Sequence, residues 1–225
     1  MPGPGPERLR ERYRLQADWF RAERTRLLRK ADILNCRRVL DLGTGTGELL
    51  GELRRRTRGA VIGLDRNRQA LRLAAGPVVQ AEAATLPFAG GVFDLVFAQM
   101  FFLWAVPLEP VLAEVRRVLA RDGRFLIAAE PDYGGCIEYP ARSGAFADFT
   151  DALRAEGADL QVGRKLGVAL AKQGFEVEAG THPARPLAAE ACAADRIPGP
   201  GCSSIVRGVG VRFRYIPYFW FLARR

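Results

Sequence analysis

The segment Val39-Leu40-Asp41-Leu42-Gly43-Thr44-Gly45-Thr46-Gly47 sets three glycines at alternate positions just after a short apolar run that contains a carboxylate. Glycines in a turn between a strand and a helix let the backbone approach a ligand closely. A dinucleotide fingerprint requires a glycine three positions after the second one, and that position is Glu48. A phosphate-cradling P-loop requires lysine followed by Ser or Thr, and no lysine stands here. The spacing G-x-G-x-G with Asp41 ahead of it suits a ligand bearing positive charge, not phosphate.

Two further anchors follow. Asp65 closes the apolar run AVIGLD, 22 residues beyond Gly43, where an acid accepts hydrogen bonds from both hydroxyls of a ribose. In Gln80-Ala81-Glu82-Ala83-Ala84-Thr85-Leu86-Pro87-Phe88, Glu82 is placed to accept from an exocyclic amine and the Ala83 amide to donate to a ring nitrogen. Together these loops describe a nucleoside with a cationic tail and no phosphates.

The elements that must carry these residues alternate along the chain. Glu7 to about Lys30 has helical spacing and a basic surface, read as a solvated face over an apolar stripe. Strands are expected at 39–43, 60–65, 78–81 and 93–98, with helices from about Thr46 to Arg56 and from Arg66 to Ala75. Pro107 to Leu119 is amphipathic with proline at its start, Asp122-Gly123 turns into the strand RFLIAAEP, and 143–174 holds one or two helices. FEVEAG gives a sixth strand and the aromatic VRFRYIPYFWFLARR the last one. Strands alternating with helices imply βαβ units and a parallel sheet covered on both faces. The stretch from about 182 to 210, with its PGPG sequence, breaks the rhythm and reads as an irregular insertion.

With those motifs in hand, the sequence resembles the class I S-adenosylmethionine-dependent methyltransferases, within the broad type 11 group of small-molecule enzymes. The matching stretches are VLDLGTGTG, GLD at 63–65, LPF at 86–88, FDLVFAQ, EVRRVLARDGRFLIAAEPD and QGFEVE, in the family's order over about residues 36–180. The resemblance implies a Rossmann-like, seven-stranded, mostly parallel sheet with helices on both faces. It divides the chain into a tail and lid helix (1–35) and a methyltransferase domain (36–225).

It also implies S-adenosylmethionine as cofactor, with Asp41, Gly43, Thr44 and Gly45 around its methionine part. Asp65 would hold the ribose, Arg66 would lie along the adenine, and Glu82 and Ala83 would contact that ring. Gln99 would offer its backbone carbonyl to the amino group, and Tyr13 would close over the carboxylate end. Relatives mostly carry aspartate where Glu82 stands. No catalytic residue is assigned; Asp132, Tyr133 and His182 are the candidates for a general base, with Glu130 nearby, if the acceptor must lose a proton. Met100 to Trp104 is either core or an apolar acceptor wall.

Composition sets the outer bounds. The 225 residues carry 34 Lys+Arg against 25 Asp+Glu, and a net charge of +9 permits nucleic-acid binding without identifying it. The preferred acceptor is a small molecule. An RNA or protein methyltransferase is the alternative, though FAQMFF lacks the (Asp/Asn)-Pro-Pro-aromatic motif of amino-group nucleic-acid enzymes. A non-catalytic S-adenosylmethionine-binding protein is the other. The four cysteines share no metal-ligand spacing, so no metal site is expected, and no run is long and apolar enough to span a membrane. With a charged start in place of a secretory signal, the expected location is cytoplasmic.

Overall fold

The computed structural model describes residues 5–139, 144–183, 202–204 and 212–225. The basic N-terminal region is two helices, α1 (Pro6–Trp19) and α2 (Arg21–Lys30), where one was expected. Phe20 leaves the helical conformation (φ −115°, ψ 18°) and buries its ring, which turns α2 onto the sheet. Then come β1 (Arg38–Leu42), α3 (Leu50–Arg56), β2 (Ala60–Asp65), α4 (Arg68–Leu71), β3 (Val78–Gln80), β4 (Phe93–Ala98) and α5 (Leu108–Val118). They are followed by β5 (Leu119–Pro131), β6 (Ile137–Tyr139), α6 (Gly144–Ala155), α7 (Val162–Lys172) and β7 (Glu176–Thr181). Short strands β8 (Cys202–Ser204) and β9 (Arg212–Tyr215) precede the last strand, β10 (Tyr218–Arg224).

The main sheet has seven strands in the order β3-β2-β1-β4-β5-β10-β7. The pairs among the first five are parallel, and β10 runs antiparallel to both β5 and β7. The chain winds outward from β1 to β3 and then returns to the other side of β1 with β4. The crevice beyond the carboxyl ends of β1 and β4 is therefore where such a sheet takes a ligand. Alternation along β1 serves both faces: Leu40 and Leu42 join the core under α5 and α7, while Val39 packs with Leu27 and Leu28 of α2 and Leu53 of α3. Each fully buried leucine is worth about 2 kcal/mol.

Several boundaries differ from the sequence expectation for local reasons. The helix expected from Thr46 begins only at Leu50, because Gly47 (φ +77°) closes a left-handed turn onto Thr44 that no right-handed helix accommodates. The helix expected over 66–75 is a single turn, α4, capped by Asn67 and stopped before Gly76-Pro77. Asp122-Gly123 does not precede β5 but lies in a bulge within it, where the β4 pairing skips from Leu119 to Arg124. The aromatic C-terminus is split at Ile216-Pro217, and β9 joins β6 and β8 in a separate three-stranded antiparallel sheet. β8 lies within the segment expected to be irregular; 184–201 of that segment, including its PGPG sequence, falls outside the described residues.

Candidate functional site

The glycine loop leaves β1 and is tied at once to β2, with the Gly43 and Thr44 amides donating to the Leu64 carbonyl at 2.8 and 3.0 Å. Gly43 and Gly45 have φ of +75° and +55°, and space for a side chain is taken at each. A Cβ on Gly43 would lie 2.3 Å from the Phe101 ring, and one on Gly45 would lie 2.7 Å from the Tyr13 ring. Any other residue would either strain the backbone or push away an aromatic wall.

Asp41 lies beneath this loop, 3% exposed, and accepts from the Thr44 hydroxyl at 2.6 Å. Burial pushes its carboxyl up to about 7; the Thr44 bond opposes the shift and the nearby Asp65 charge adds to it. Asp65, at the tip of β2, accepts from the Gly45 amide and the Asn67 amide, both at 2.8 Å. Each of its oxygens keeps a second lone pair for a ligand. The cap of α4 is Asn67, which accepts from the Gln69 and Ala70 amides.

These loops line a cavity of about 560 Å³, within the usual range for small-molecule sites. Gly43, Thr44, Gly45, Asp65 and Arg66 form one side, Glu82 and Ala83 another, and Gln99 and Tyr13 close over it. Every residue expected at the cofactor lines this cavity except Asp41, which supports the lining through Thr44. Aromatic and aliphatic side chains, including Trp104, Val106 and Phe149, also line the cavity, so the Phe101–Trp104 turn serves both core and cavity.

The catalytic candidates separate. Tyr133 lines the cavity with its ring edge-on to Phe149 at 5.3 Å. Burial pushes its hydroxyl up to about 12, with the Tyr218 bond and the Arg12 charge opposing, so it stays protonated at neutral pH. Asp132 is not in the lining: it accepts from the Gly135 amide at 3.1 Å and from Arg164 Nε at 2.6 Å, which makes it a turn-forming, ion-paired residue. His182 is not in the lining either. It is buried with Nε2 2.7 Å from the Ala128 carbonyl and its ring 4.8 Å from Phe20. Glu130 is fully buried beneath the wall, accepting from the Phe101 and Leu103 amides at 3.0 and 2.9 Å, and burial pushes it up to about 7.

One residue of the site was not foreseen. Arg24, expected on a solvated face, is 2% exposed. It donates to Glu52 Oε2 at 2.6 and 3.0 Å, to the Ala17 carbonyl at 2.7 Å and to Gln99 Oε1 at 3.1 Å. The Gln99 side chain is thereby held by α2 while the residue lines the cavity. The signal was its register: Phe20, Arg24, Leu27, Leu28 and Ala31 form one buried stripe, and an arginine there must have partners. A second tie is exposed, from Arg10 Nε on α1 to Glu48 Oε1 at 3.1 Å.

A glycine turn after β1, at the reversal point of a 3-2-1-4-5 sheet closed by an antiparallel penultimate strand, is the Rossmann-like class I methyltransferase architecture. Residues 40–127 match a family model described as a methyltransferase domain. Over 106 residues, 46% of the chain, the sequence is 37% identical to a malonyl-[acyl-carrier protein] O-methyltransferase of Coxiella burnetii, covering 38% of that protein. Over 120 residues, 49% of the chain, it is 35% identical to the demethylmenaquinone methyltransferase of Thermus thermophilus, covering 51% of it. The chain thus spans about half or less of these curated relatives. Among solved structures, an S-adenosylmethionine-dependent methyltransferase of Mesorhizobium loti superposes with a TM-score of 0.61 at 20% identity, over 92% of this chain and all of that one. That likeness concerns the fold.

Proposed function

We propose that this protein is an S-adenosylmethionine-dependent methyltransferase that moves a methyl group to a small-molecule acceptor by direct in-line transfer. The observation that carries the reading is the cavity beyond β1 and β4, bounded by a carboxylate-bearing strand tip at Asp65 and a positive-φ glycine turn. The residues fit the cofactor: among the described residues no lysine lines the cavity, the positive-φ turn at Gly43 and Gly45 brings bare backbone to its wall, and Asp65 in the lining with Asp41 beneath it offers carboxylates to a cationic ligand. When bound, S-adenosylmethionine supplies an electrophilic methyl group on a sulfonium.

In this reading Asp65 takes the ribose hydroxyls, Arg66 lies along the adenine, and Glu82 with the Ala83 amide reads its edge. The Gln99 carbonyl receives the ammonium group, and Thr44 with Gly43 and Gly45 shapes the methionine channel above Asp41. Tyr13 covers the glycine turn and excludes water, and 1–35 acts as a lid on a domain formed by the rest of the chain. Orientation and water exclusion supply most of what the reaction needs. Tyr133, protonated at neutral pH, is a hydrogen-bond donor to the acceptor and not a base. No helix among the described residues is long and apolar enough to cross a membrane, and the reading places the enzyme in the cytoplasm.

Calorimetric titration tests it. S-adenosylmethionine is expected to bind and NAD not, with Asp65→Ala weakening the former at least tenfold. Equal binding of the two nucleotides would remove the cofactor assignment. Tritiated methyl transfer into a metabolite extract, total RNA and protein then tests the acceptor class, and label confined to RNA or protein would overturn the small-molecule reading.

A further inference from the structure

The cavity contains a cation for which the described residues supply no partner. Arg12 on α1 lines it and is half-buried, and its Nε is shielded from solvent without a hydrogen-bond partner. No ion pair to Arg12 exists among the described residues. Two other arginines of the N-terminal helices show the contrast, since Arg10 meets Glu48 and Arg24 meets Glu52. Its charge acts on Tyr13 and on Tyr133, opposing the larger effect of burial on each hydroxyl, so the guanidinium lies within reach of both rings.

The carboxylates of that region are committed or hydrated. Glu130 is fully buried beneath the wall and spends its oxygens on the Phe101 and Leu103 amides. Glu156 lines the same cavity but is exposed to water. Arg66, the other arginine of the lining, is exposed and follows the β2 tip. A guanidinium with a dry, unmatched donor in an apolar-walled cavity is poised for an anion, and its fork geometry matches a carboxylate.

We propose that Arg12 is the anchor for a carboxylate of the methyl acceptor, which makes the acceptor an organic acid with an apolar body lying against Trp104, Val106 and Phe149. This rests on the methyltransferase reading above and adds the substrate's charge class to it. The cofactor's own carboxylate is the competing source of the same chemistry, and the Tyr13 ring over Gly45 already covers the end of the cavity assigned to it.

The test uses the full chain saturated with S-adenosylhomocysteine. Matched acids and neutral amides are titrated by calorimetry: octanoate against octanamide, and phenylacetate against phenylacetamide. At least one acid is expected to bind 10- to 100-fold more tightly than its amide, a preference lost in Arg12→Gln and partly kept in Arg12→Lys. Affinity for S-adenosylhomocysteine should stay within about threefold in both variants, which also reports that they are folded.

Acid and amide binding alike, or no acid binding, overturns the proposal while leaving the cofactor reading intact. Weaker S-adenosylhomocysteine binding in Arg12→Gln, with unchanged binding of methylthioadenosine, which lacks the carboxylate, assigns Arg12 to the cofactor and also overturns it. Failure of S-adenosylhomocysteine to bind the unaltered protein removes the methyltransferase reading and this proposal together.

Discussion

Arg24→Met keeps most of the apolar stem on the buried stripe it shares with Phe20, Leu27 and Leu28 and deletes the guanidinium, so its effect isolates the polar contacts. Removing one partner of a buried ion pair costs about 3–5 kcal/mol when the other is left unmatched. Glu52 would not be wholly unmatched, because Arg56 still meets its other oxygen at 2.9 Å and its side chain is 14% exposed. The expected loss is therefore about 2–3 kcal/mol, a fall in Tm of about 5–10 °C for a chain of this size. The pH dependence has a definite sign. The bonds and charges of Arg24 and Arg56 outweigh burial and hold the Glu52 carboxyl below its ordinary value. A lowered carboxylate pKa contributes stability that is full above the unfolded value, about 4.3, and is lost as pH falls through the folded value. The difference between the two proteins in urea unfolding should be greatest near pH 7 and shrink below about pH 4, leaving the share due to Ala17 and Gln99. A double-mutant cycle with Glu52→Gln should give a coupling of at least about 1 kcal/mol. A Tm change under about 2 °C, or a loss independent of pH, would refute the assignment of Arg24 as a buried tie.

Gly45→Ala should cost about 1–3 kcal/mol in thermal unfolding, from its left-handed φ and from the overlap with Tyr13. In the Tyr13→Ala background the same change should cost measurably less, and strict additivity would show that the ring does not lie on the glycine. Because Asp41 is held near 7, a cationic ligand should draw off its proton. S-adenosylmethionine affinity should then rise between pH 6 and 8, and calorimetry in buffers of different ionisation enthalpy should detect proton release at pH 6.5. Asp41→Asn should abolish both. Asp132→Ala leaves the Gly135 amide and Arg164 without their carboxylate and should destabilise by about 1–3 kcal/mol, with S-adenosylhomocysteine affinity unchanged. A cofactor-affinity loss matching the stability loss would return Asp132 to the site.

Legibility in the sequence followed the range of the forces involved. The glycine turn, Asp65 at a strand tip and the 82–83 loop could be read because each is a local pattern of residue types tied to one strand end. The seven strands of the main sheet were legible for the same reason, as apolar runs bounded by turn residues. Helix lengths were less so: a single left-handed glycine at 47 decides where α3 begins, and α4 stops at Leu71, five residues before the Gly76-Pro77 pair. The β6-β9-β8 sheet depends on pairing Ile137 with Tyr215, far apart in sequence, for which no local signal exists. Asp132 and His182 looked like chemistry because of what they are; their burial against a turn amide, an arginine and a strand carbonyl is a tertiary fact. Arg24 was hidden among many arginines, and only its position on a buried stripe distinguished it.

Two buried charged residues then explain why the stretch after β4 can serve as a wall. On one side Arg24 holds the Gln99 side chain; on the other Glu130 gathers the Phe101 and Leu103 amides. Between them Met100 is turned to φ +54° and donates its amide to the Ala129 carbonyl at 2.8 Å. A left-handed methionine is costly on its own, and it persists where neighbours on both sides fix it. The turn so fixed presents the Phe101 ring into the space a Gly43 side chain would need, and Trp104 to the cavity lining. The glycine turn and part of the apolar lining are therefore referenced to one turn. An apolar turn held only by packing would let these walls drift by a rotamer, whereas amide-to-carboxylate bonds fix it before any ligand arrives.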